Sequence, residues 1–200
     1  MKTRTFVLLV LVGFTSTLSQ AGFVTGVTSD FGDANVYCPI YTFSAPDQSL
    51  SFGDAGLPVN QYGAGAIAGN FTTVGDPTLT LANTINNNTG SPWTGYIVDV
   101  SMGQTFTIGG LSVANPGWSI AVAFQPVLVG GPFIGEIHLT AGTPVQDGQL
   151  LSFQYDITFA GSTSFSETLT PVPEPSSMSL LAGALLLGGF AAMKSRRAIA

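Results

Sequence analysis

The sequence predicts an all-β protein whose central region, residues 22–170, folds as an antiparallel β-sandwich of Ig-like or jelly-roll-like type. Residues 151–159 alternate apolar and polar side chains without a fault, as a half-buried strand does. No long window has the period of about 3.6 residues that marks an amphipathic helix. Clusters of Gly, Pro and Asn break the chain at short intervals, as at residues 115–117 and 130–132. Roughly eight to ten short strands favour a sandwich, with a closed barrel or jelly roll as the alternative.

The remaining predicted strands are recognised by the same alternation. Residues 133–139 place four apolar or small side chains on one face and Glu136 and His138 on the other. The other predicted strands span residues 35–43, 78–85, 94–100, 104–108, 118–124 and 162–169. The last of these is predicted to return against the strand at 151–159 through a turn at Gly161.

Charge is scarce and unevenly placed. The chain has 5 Lys and Arg residues, all near its ends, and 11 Asp and Glu residues, all between them. Charged residues make up 8% of the chain, against roughly 25% in ordinary soluble domains. A central region without a single Lys or Arg repels phosphate, which argues against binding nucleic acid or an anionic membrane surface.

Residues 1–21 have the three parts of a secretory signal peptide. Lys2 and Arg4 precede an apolar run at residues 6–14, and a polar stretch follows that ends in the small residue Ala21. Cleavage there would begin the mature chain at Gly22. The alternative is an N-terminal helix or strand buried in the domain.

Residues 171–200 contain an uncharged apolar segment, residues 176–193, followed by Lys194, Arg196 and Arg197. At about 1.5 Å per residue the segment reaches ~27 Å as a helix, enough for a thin bilayer core. The basic cluster is predicted to stop transfer and to stay in the cytoplasm.

Before this segment stand Pro173, Glu174 and Pro175. The two prolines predict a stiff, exposed and extended strip, which is the backbone shape that a protease or transpeptidase binds. The alternative is a plain single-pass anchor preceded by a Pro-rich spacer.

Together, residues 172–197 resemble the PEP-CTERM sorting signal of exopolysaccharide-producing Gram-negative bacteria. The resemblance implies that the membrane enzyme exosortase processes the chain near Pro173, Glu174 and Pro175. It also implies transient anchoring in the inner membrane, followed by a location at the cell surface or outside the cell.

A second stretch, residues 86–100 (NNNTGSPWTGYIVDV), is similar to a segment that recurs in PEP-CTERM ectodomains. Residues 88–92 predict a turn, and Trp93 opens a strand with Tyr96, Val98 and Val100 on its inner face. Trp93 is either a platform on which a sugar ring stacks or a core residue that fixes the start of the strand. The pattern favours the core.

No constellation of catalytic residues is evident in the sequence. His138 is the single histidine, no Gly-x-Ser-x-Gly motif occurs, and the single Cys38 can form no intrachain disulfide. Zinc sites need several Cys or His residues, which the chain lacks. Cys38 is therefore predicted to be a buried hydrophobe.

Carboxylates are the only plentiful ionisable groups. The loop residues that could gather around a calcium ion are Asp30, Asp33, Asp47 and Asp54. The chain has no Asp-x-Asp-x-Asp-Gly run, so the acidity is interpreted as a solvated extracellular surface, and no cofactor is predicted.

Three functions remain, in decreasing order of support from the sequence. The first is a non-enzymatic, exported protein of the envelope or biofilm matrix. The second is a carbohydrate-binding or adhesive module for exopolysaccharide. The third is a secreted hydrolase, which the missing polar constellation disfavours.

Overall fold

The computed structural model describes residues 22–174, which form two β-sheets packed face to face. The strands, numbered in chain order, are β1 (Phe23–Ser29), β2 (Val36–Tyr37), β3 (Tyr41–Ser44), β4 (Ser49–Phe52), β5 (Val59–Gln61), β6 (Gly65–Val74), β7 (Thr78–Asn87), β8 (Trp93–Met102), β9 (Phe106–Val113), β10 (Ser119–Leu128), β11 (Phe133–Val145), β12 (Leu150–Phe159) and β13 (Thr163–Pro173). The predicted all-β sandwich is confirmed. The predicted signal peptide, the apolar segment 176–193, the basic cluster and Pro175 lie outside the described residues.

The first sheet has the strand order β1-β6-β13-β8-β11-β10, and the second has the order β2-β5-β7-β12-β9. Pairing is antiparallel except beside β7, where β4 and then β5 run parallel to it along the same edge. The hairpin partner β3 joins the second sheet through β4. β6, β13, β8 and β11 thus occupy the interior of one sheet, and β5, β7 and β12 the interior of the other.

The core lies between the sheets and follows the predicted alternation. Every second residue of β7 and β12 is buried, and so is every second residue of β8 from Tyr96 onward. Phe71 on β6 stacks on Phe165 of β13 with ring centroids 4.2 Å apart, and it lies 5.3 Å from Phe159 of β12 in the other sheet. Full burial of one such ring contributes about 2–3 kcal/mol. This aromatic cluster therefore holds the two sheets together near one end of the sandwich.

One side of the sandwich is closed by a side chain rather than by strand pairing. Gln125 on β10 of the first sheet donates its amide N–H to Ile108 O at 2.8 Å. It also accepts a hydrogen bond from Ile108 N of β9 at 3.0 Å. The amide reproduces the two bonds that a neighbouring strand would make, so it joins the edges of the two sheets.

The predicted hairpin between residues 151–159 and 162–169 is wrong. β13 crosses to the first sheet and pairs with β6 and β8, because both edges of β12 are already occupied by β7 and β9. Gly161 adopts a positive φ of 66° at the crossing. Phe165 therefore packs against Phe71 within the first sheet, while Phe159 packs against it from the second sheet.

Several strand boundaries also differ from the prediction. Residues 35–43 form two short strands, β2 and β3, with Pro39 between them, since proline supplies no N–H for a continuous ladder. The strands β1, β4, β5 and β6 were not predicted. The sequence of β6, GAIAGNFTTV, has too few large apolar residues to show the alternation.

Candidate functional site

The candidate site is the end of β13, where the last strand leads directly into the predicted sorting strip. Val172 pairs with Gly95 and Pro173 with Trp93 on the neighbouring β8. Glu174 N then donates a hydrogen bond to Pro92 O at 3.0 Å. Pro173 and Glu174 are both exposed. The strip therefore begins as extended, accessible backbone held against the domain, and no loop separates it from the sheet.

Two prolines are compatible with this strand because one of its sides is open there. The pairing of β13 with β6 ends at Leu169 and Gly65, whereas the pairing with β8 continues to Pro173. A proline lacks the N–H that an inner strand needs, but it is tolerated at an edge. Pro171 and Pro173 lie in the part of β13 that has a neighbour on one side alone.

A buried asparagine builds the corner beside this exit. The Asn87 amide donates to Ser91 O at 2.8 Å and to Val145 O at 2.9 Å. Its Oδ1 accepts hydrogen bonds from the N–H of Thr89 at 3.0 Å and from its hydroxyl at 2.7 Å. The turn predicted at residues 88–92 is thereby confirmed, and it is held by side-chain bonds.

Trp93 is not a ligand contact in this structure. Its side chain is completely buried and its ring centroid lies 5.3 Å from that of Tyr96. The indole Nε1 donates to Thr89 Oγ1 at 3.0 Å. A sugar ring needs an exposed aromatic face, which Trp93 does not offer. It fixes the start of β8 instead, with Tyr96, Val98 and Val100 buried as predicted.

A second cluster of polar groups lies in the core, where the sequence predicts none. Glu167 on β13 is fully buried, and its Oε1 accepts hydrogen bonds from Tyr155 Oη and, at 3.1 Å, from Asn83 Nδ2. Nearby, Tyr96 Oη donates to the buried Gln61, whose amide donates to Leu169 O at 2.9 Å. The interpretation of all acidic residues as solvated surface is therefore wrong for Glu167.

Burial raises the pKa of Glu167 from 4.5 to about 7, although the bonds from Tyr155 and Asn83 lower it. Burial and the charge of Glu167 likewise raise the pKa values of Tyr96 and Tyr155 well above the ordinary range. Both hydroxyls therefore stay protonated and remain donors. The cluster can exchange one proton near neutral pH, and its position between the sheets makes it a structural element.

His138 and Glu136 lie on the outer face of β11, as predicted, with Nε2 and Oε1 2.5 Å apart. Asp99 faces Glu136 from β8. Its pKa is raised first by burial and then by the charge of Glu136 and a hydrogen bond to it.

The four carboxylates considered as calcium ligands each stabilise a turn. Asp33 accepts hydrogen bonds from three backbone N–H groups, at Asn35, Val36 and Ala66. Asp30 accepts from the backbone N–H groups of Gly32 and Ala68, and Asp54 from those of Gly56 and Leu57. Asp47 accepts a hydrogen bond from the hydroxyl of Ser44. Within residues 22–174 no three His, Cys, Asp or Glu side chains are grouped as metal ligands. That the chain carries no cofactor stays a prediction.

Comparison of the chain with protein-family models, with curated proteins and with solved structures finds no match. Among residues 22–174, no helix is both long enough and apolar enough to span a bilayer. The candidate site rests on the geometry of the chain itself.

The sequence correctly predicts that Pro173 and Glu174 are exposed and extended. It does not predict that Pro173 pairs with Trp93 or that Glu174 N donates to Pro92 O. The burial of Glu167 was also not predicted, although the alternation of β13 indicates it. In residues 165–169, Glu167 has the same parity as Phe165 and Leu169, so an alternating strand turns all three inward.

Proposed function

We propose that this chain is an exported, non-enzymatic protein of the cell envelope or extracellular matrix that is sorted through its C-terminal segment. In this proposal the signal peptide directs export. Residues 176–193 then form a transmembrane helix that holds the chain transiently in the inner membrane. Lys194, Arg196 and Arg197 remain in the cytoplasm. The resemblance to PEP-CTERM signals makes exosortase the processing partner, at a strip of Pro173, Glu174 and Pro175.

The observation that carries the proposal is the position of Pro173 and Glu174. Both are exposed, and both continue an extended strand at the surface of the domain. A peptidase binds its substrate as extended backbone, so a strip of this shape is suited to recognition. A strip folded into a helix or covered by a loop would not be.

A non-enzymatic role is supported by the placement of the ionisable groups. Glu167 is sealed between the sheets, so a substrate has no access to it. Asp99, Glu136 and His138 lie together on the outer face of a sheet, and no serine or cysteine nucleophile bonds to His138 within the described residues. These arrangements support a domain that acts through its surfaces.

The test replaces Pro173, Glu174 and Pro175 together with alanine and compares the variant with the wild type in the native cells. The change removes the stiff backbone and the carboxylate but leaves the apolar segment and the basic cluster intact. We expect the variant to accumulate uncleaved in the inner membrane, while the wild type loses its C-terminal peptide and reaches the surface or medium. Mass spectrometry of the mature C-terminus shows whether the C-terminal peptide has been removed.

Pro171→Ala is the matched control, because it removes a proline from the same strand without touching the strip. It should fractionate like the wild type. If the triple-alanine variant and the wild type fractionate identically and both retain the C-terminal peptide, the segment is a plain anchor and the sorting proposal fails.

A further inference from the structure

Two tyrosines stand exposed on the outer face of the second sheet, close to the edge formed by β2. Tyr37 on β2 is 51% exposed, and Tyr62, directly after β5, is 57% exposed. Val36 pairs with Gln61 and Tyr37 with Asn60, and Tyr62 N donates to Asn35 O at 2.7 Å. This register makes Tyr37 and Tyr62 diagonal neighbours on one face, and such neighbours lie about 7–8 Å apart.

The neighbouring strands continue this face with amides. Asn60 on β5 lies opposite Tyr37 of β2 on one side and opposite Asn86 of β7 on the other, so the three residues form a row across three strands. Asn88 Nδ2 donates to Asn60 Oδ1 at 2.8 Å, and Asn86 Nδ2 donates to Asn88 Oδ1 at 3.1 Å. The row spans two strand spacings of about 4.8 Å each. It is a preorganised amide ladder that ends at the aromatic pair.

We propose that Tyr37, Tyr62, Asn60, Asn86 and Asn88 form a binding site for a neutral polysaccharide. The aromatic faces carry negative charge density and attract the weakly positive C–H face of a sugar ring. Each amide keeps one N–H beyond those used in the ladder, and the oxygens of Asn60 and Asn88 each keep one lone pair, which match hydroxyl groups that donate and accept. Asn86 Oδ1 is buried and contributes no acceptor. Because the ladder is already held by hydrogen bonds, ordering it on binding costs little entropy.

The charges of the domain decide which glycan suits the site. Residues 22–174 contain no Lys or Arg, so an acidic polysaccharide would meet only repulsion. The five residues of the proposed site carry no ionisable group other than the phenols of Tyr37 and Tyr62. A hydrophobic protein partner would have to bury the amides of the ladder without replacing their bonds to water, which is costly. A neutral, hydroxyl-rich chain satisfies both the rings and the amides.

This inference goes beyond the sorting proposal and does not rest on it, since a binding surface works wherever the chain is located. Trp93, the aromatic residue for which the sequence allows a sugar platform, is buried, whereas Tyr37 and Tyr62 on the other sheet are exposed. The two proposals also fail separately. Loss of sorting leaves polysaccharide binding unchanged, and loss of binding leaves processing unchanged.

The test is affinity electrophoresis of the full chain, purified in detergent, through native gels that contain a single polysaccharide. The neutral probes are hydroxyethylcellulose, galactomannan, xyloglucan and dextran, and the acidic probe is alginate. We expect at least one neutral polymer to retard the chain. The double variant Tyr37→Ala/Tyr62→Ala should bind at least about tenfold more weakly, whereas Tyr37→Phe/Tyr62→Phe keeps the rings and should stay within about threefold of the wild type.

Phe124→Ala is the matched control, because Phe124 is 41% exposed on β10 of the other sheet. Its retardation should equal that of the wild type. If the double alanine variant does not fold, Tyr62→Ala alone decides, since Tyr62 lies outside every strand. Retardation by no neutral polymer, retardation by alginate alone, or undiminished binding by the tyrosine variants would overturn the proposal.

Discussion

Tyr155 and Glu167 belong to different sheets and meet in the middle of the core, where the tyrosine hydroxyl donates a hydrogen bond to the carboxylate. The pair joins β12 to β13, and Asn83 of β7 adds a second donor from the same side as Tyr155. A fully buried carboxyl is stable when it is neutral or fully hydrogen-bonded. Here one of its oxygens, Oε2, accepts no bond within the described residues. The pair therefore links the stability of the sandwich to pH.

The first prediction concerns that link. The folded state raises the pKa of Glu167 from 4.5 to about 7, so between these values the folded chain keeps a proton that the unfolded chain releases. Stability from this group is complete below pH 4.5 and is lost as the pH rises toward 7. A raised pKa of this size corresponds to ~3 kcal/mol. Glu167→Gln cannot ionise, so we expect the variant to be the more stable form at pH 8.

Urea unfolding of both chains from pH 4.5 to pH 8 measures this difference. Subtracting the two profiles cancels the contributions of other groups, such as Asp33, whose pKa is lowered by bonds from three backbone N–H groups although burial raises it. If the free energies of unfolding of the two chains stay parallel across this range, Glu167 does not titrate in the core.

The parity of Glu167 in β13 could be predicted from the sequence, but its partners could not. Alternation tells which residues of a strand turn inward, and it correctly assigned Tyr155 and the inner face of β8. It carries no information on which sheet a strand joins. Tyr155 and Glu167 are near in sequence, so a hairpin was the natural expectation. Their contact across the core depends on the crossing at Gly161, which only the three-dimensional structure reveals.

The same limit explains why the site was predicted in part. Local composition showed that Pro173 and Glu174 are extended, since proline restricts its own φ and that of the preceding residue. The pairing of Pro173 with Trp93 joins residues far apart in the chain, and no local pattern encodes it. Exposure of Tyr37 and Tyr62 likewise depends on which face of β2 and β5 meets the other sheet.

Cys38 gives a second prediction. Its thiol is buried and donates to Ile40 O at 3.1 Å, and burial raises its pKa to about 11. Because the thiolate is the reactive form, a disulfide reagent such as DTNB at pH 8 should react with the folded chain at least about 100-fold more slowly than with the chain unfolded in urea. Rapid labelling of the folded chain would show that the thiol is accessible.

A third prediction compares two adjacent glycines of β9. Gly110 has a positive φ of 56°, and a Cβ added there would lie 1.9 Å from Asp156 Oδ2 on β12. We expect Gly110→Ala to destabilise the domain by ~2 kcal/mol or more, through backbone strain and displacement of the carboxylate. Gly109→Ala is the matched control, because a Cβ at Gly109 meets nothing within 4 Å. Its thermal midpoint should stay close to that of the wild type, and equal losses in the two variants would contradict the prediction.

The last prediction concerns where the folded domain ends. The sequence placed the boundary at residue 170, but β13 continues through Pro173 and pairs with β8 along Tyr96, Gly95 and Trp93. A chain that ends at residue 170 loses these pairs, and the start of β8 at Trp93 then has no β13 neighbour. A chain that ends at residue 174 keeps the pairs. Cross-strand pairs contribute roughly 0.2–1 kcal/mol each, so the shorter chain should be less stable by ~1–2 kcal/mol. Urea unfolding of the two truncated chains measures the difference. Equal midpoints would show that residues 171–174 add nothing to the domain, and would leave the strip free to detach before it is processed.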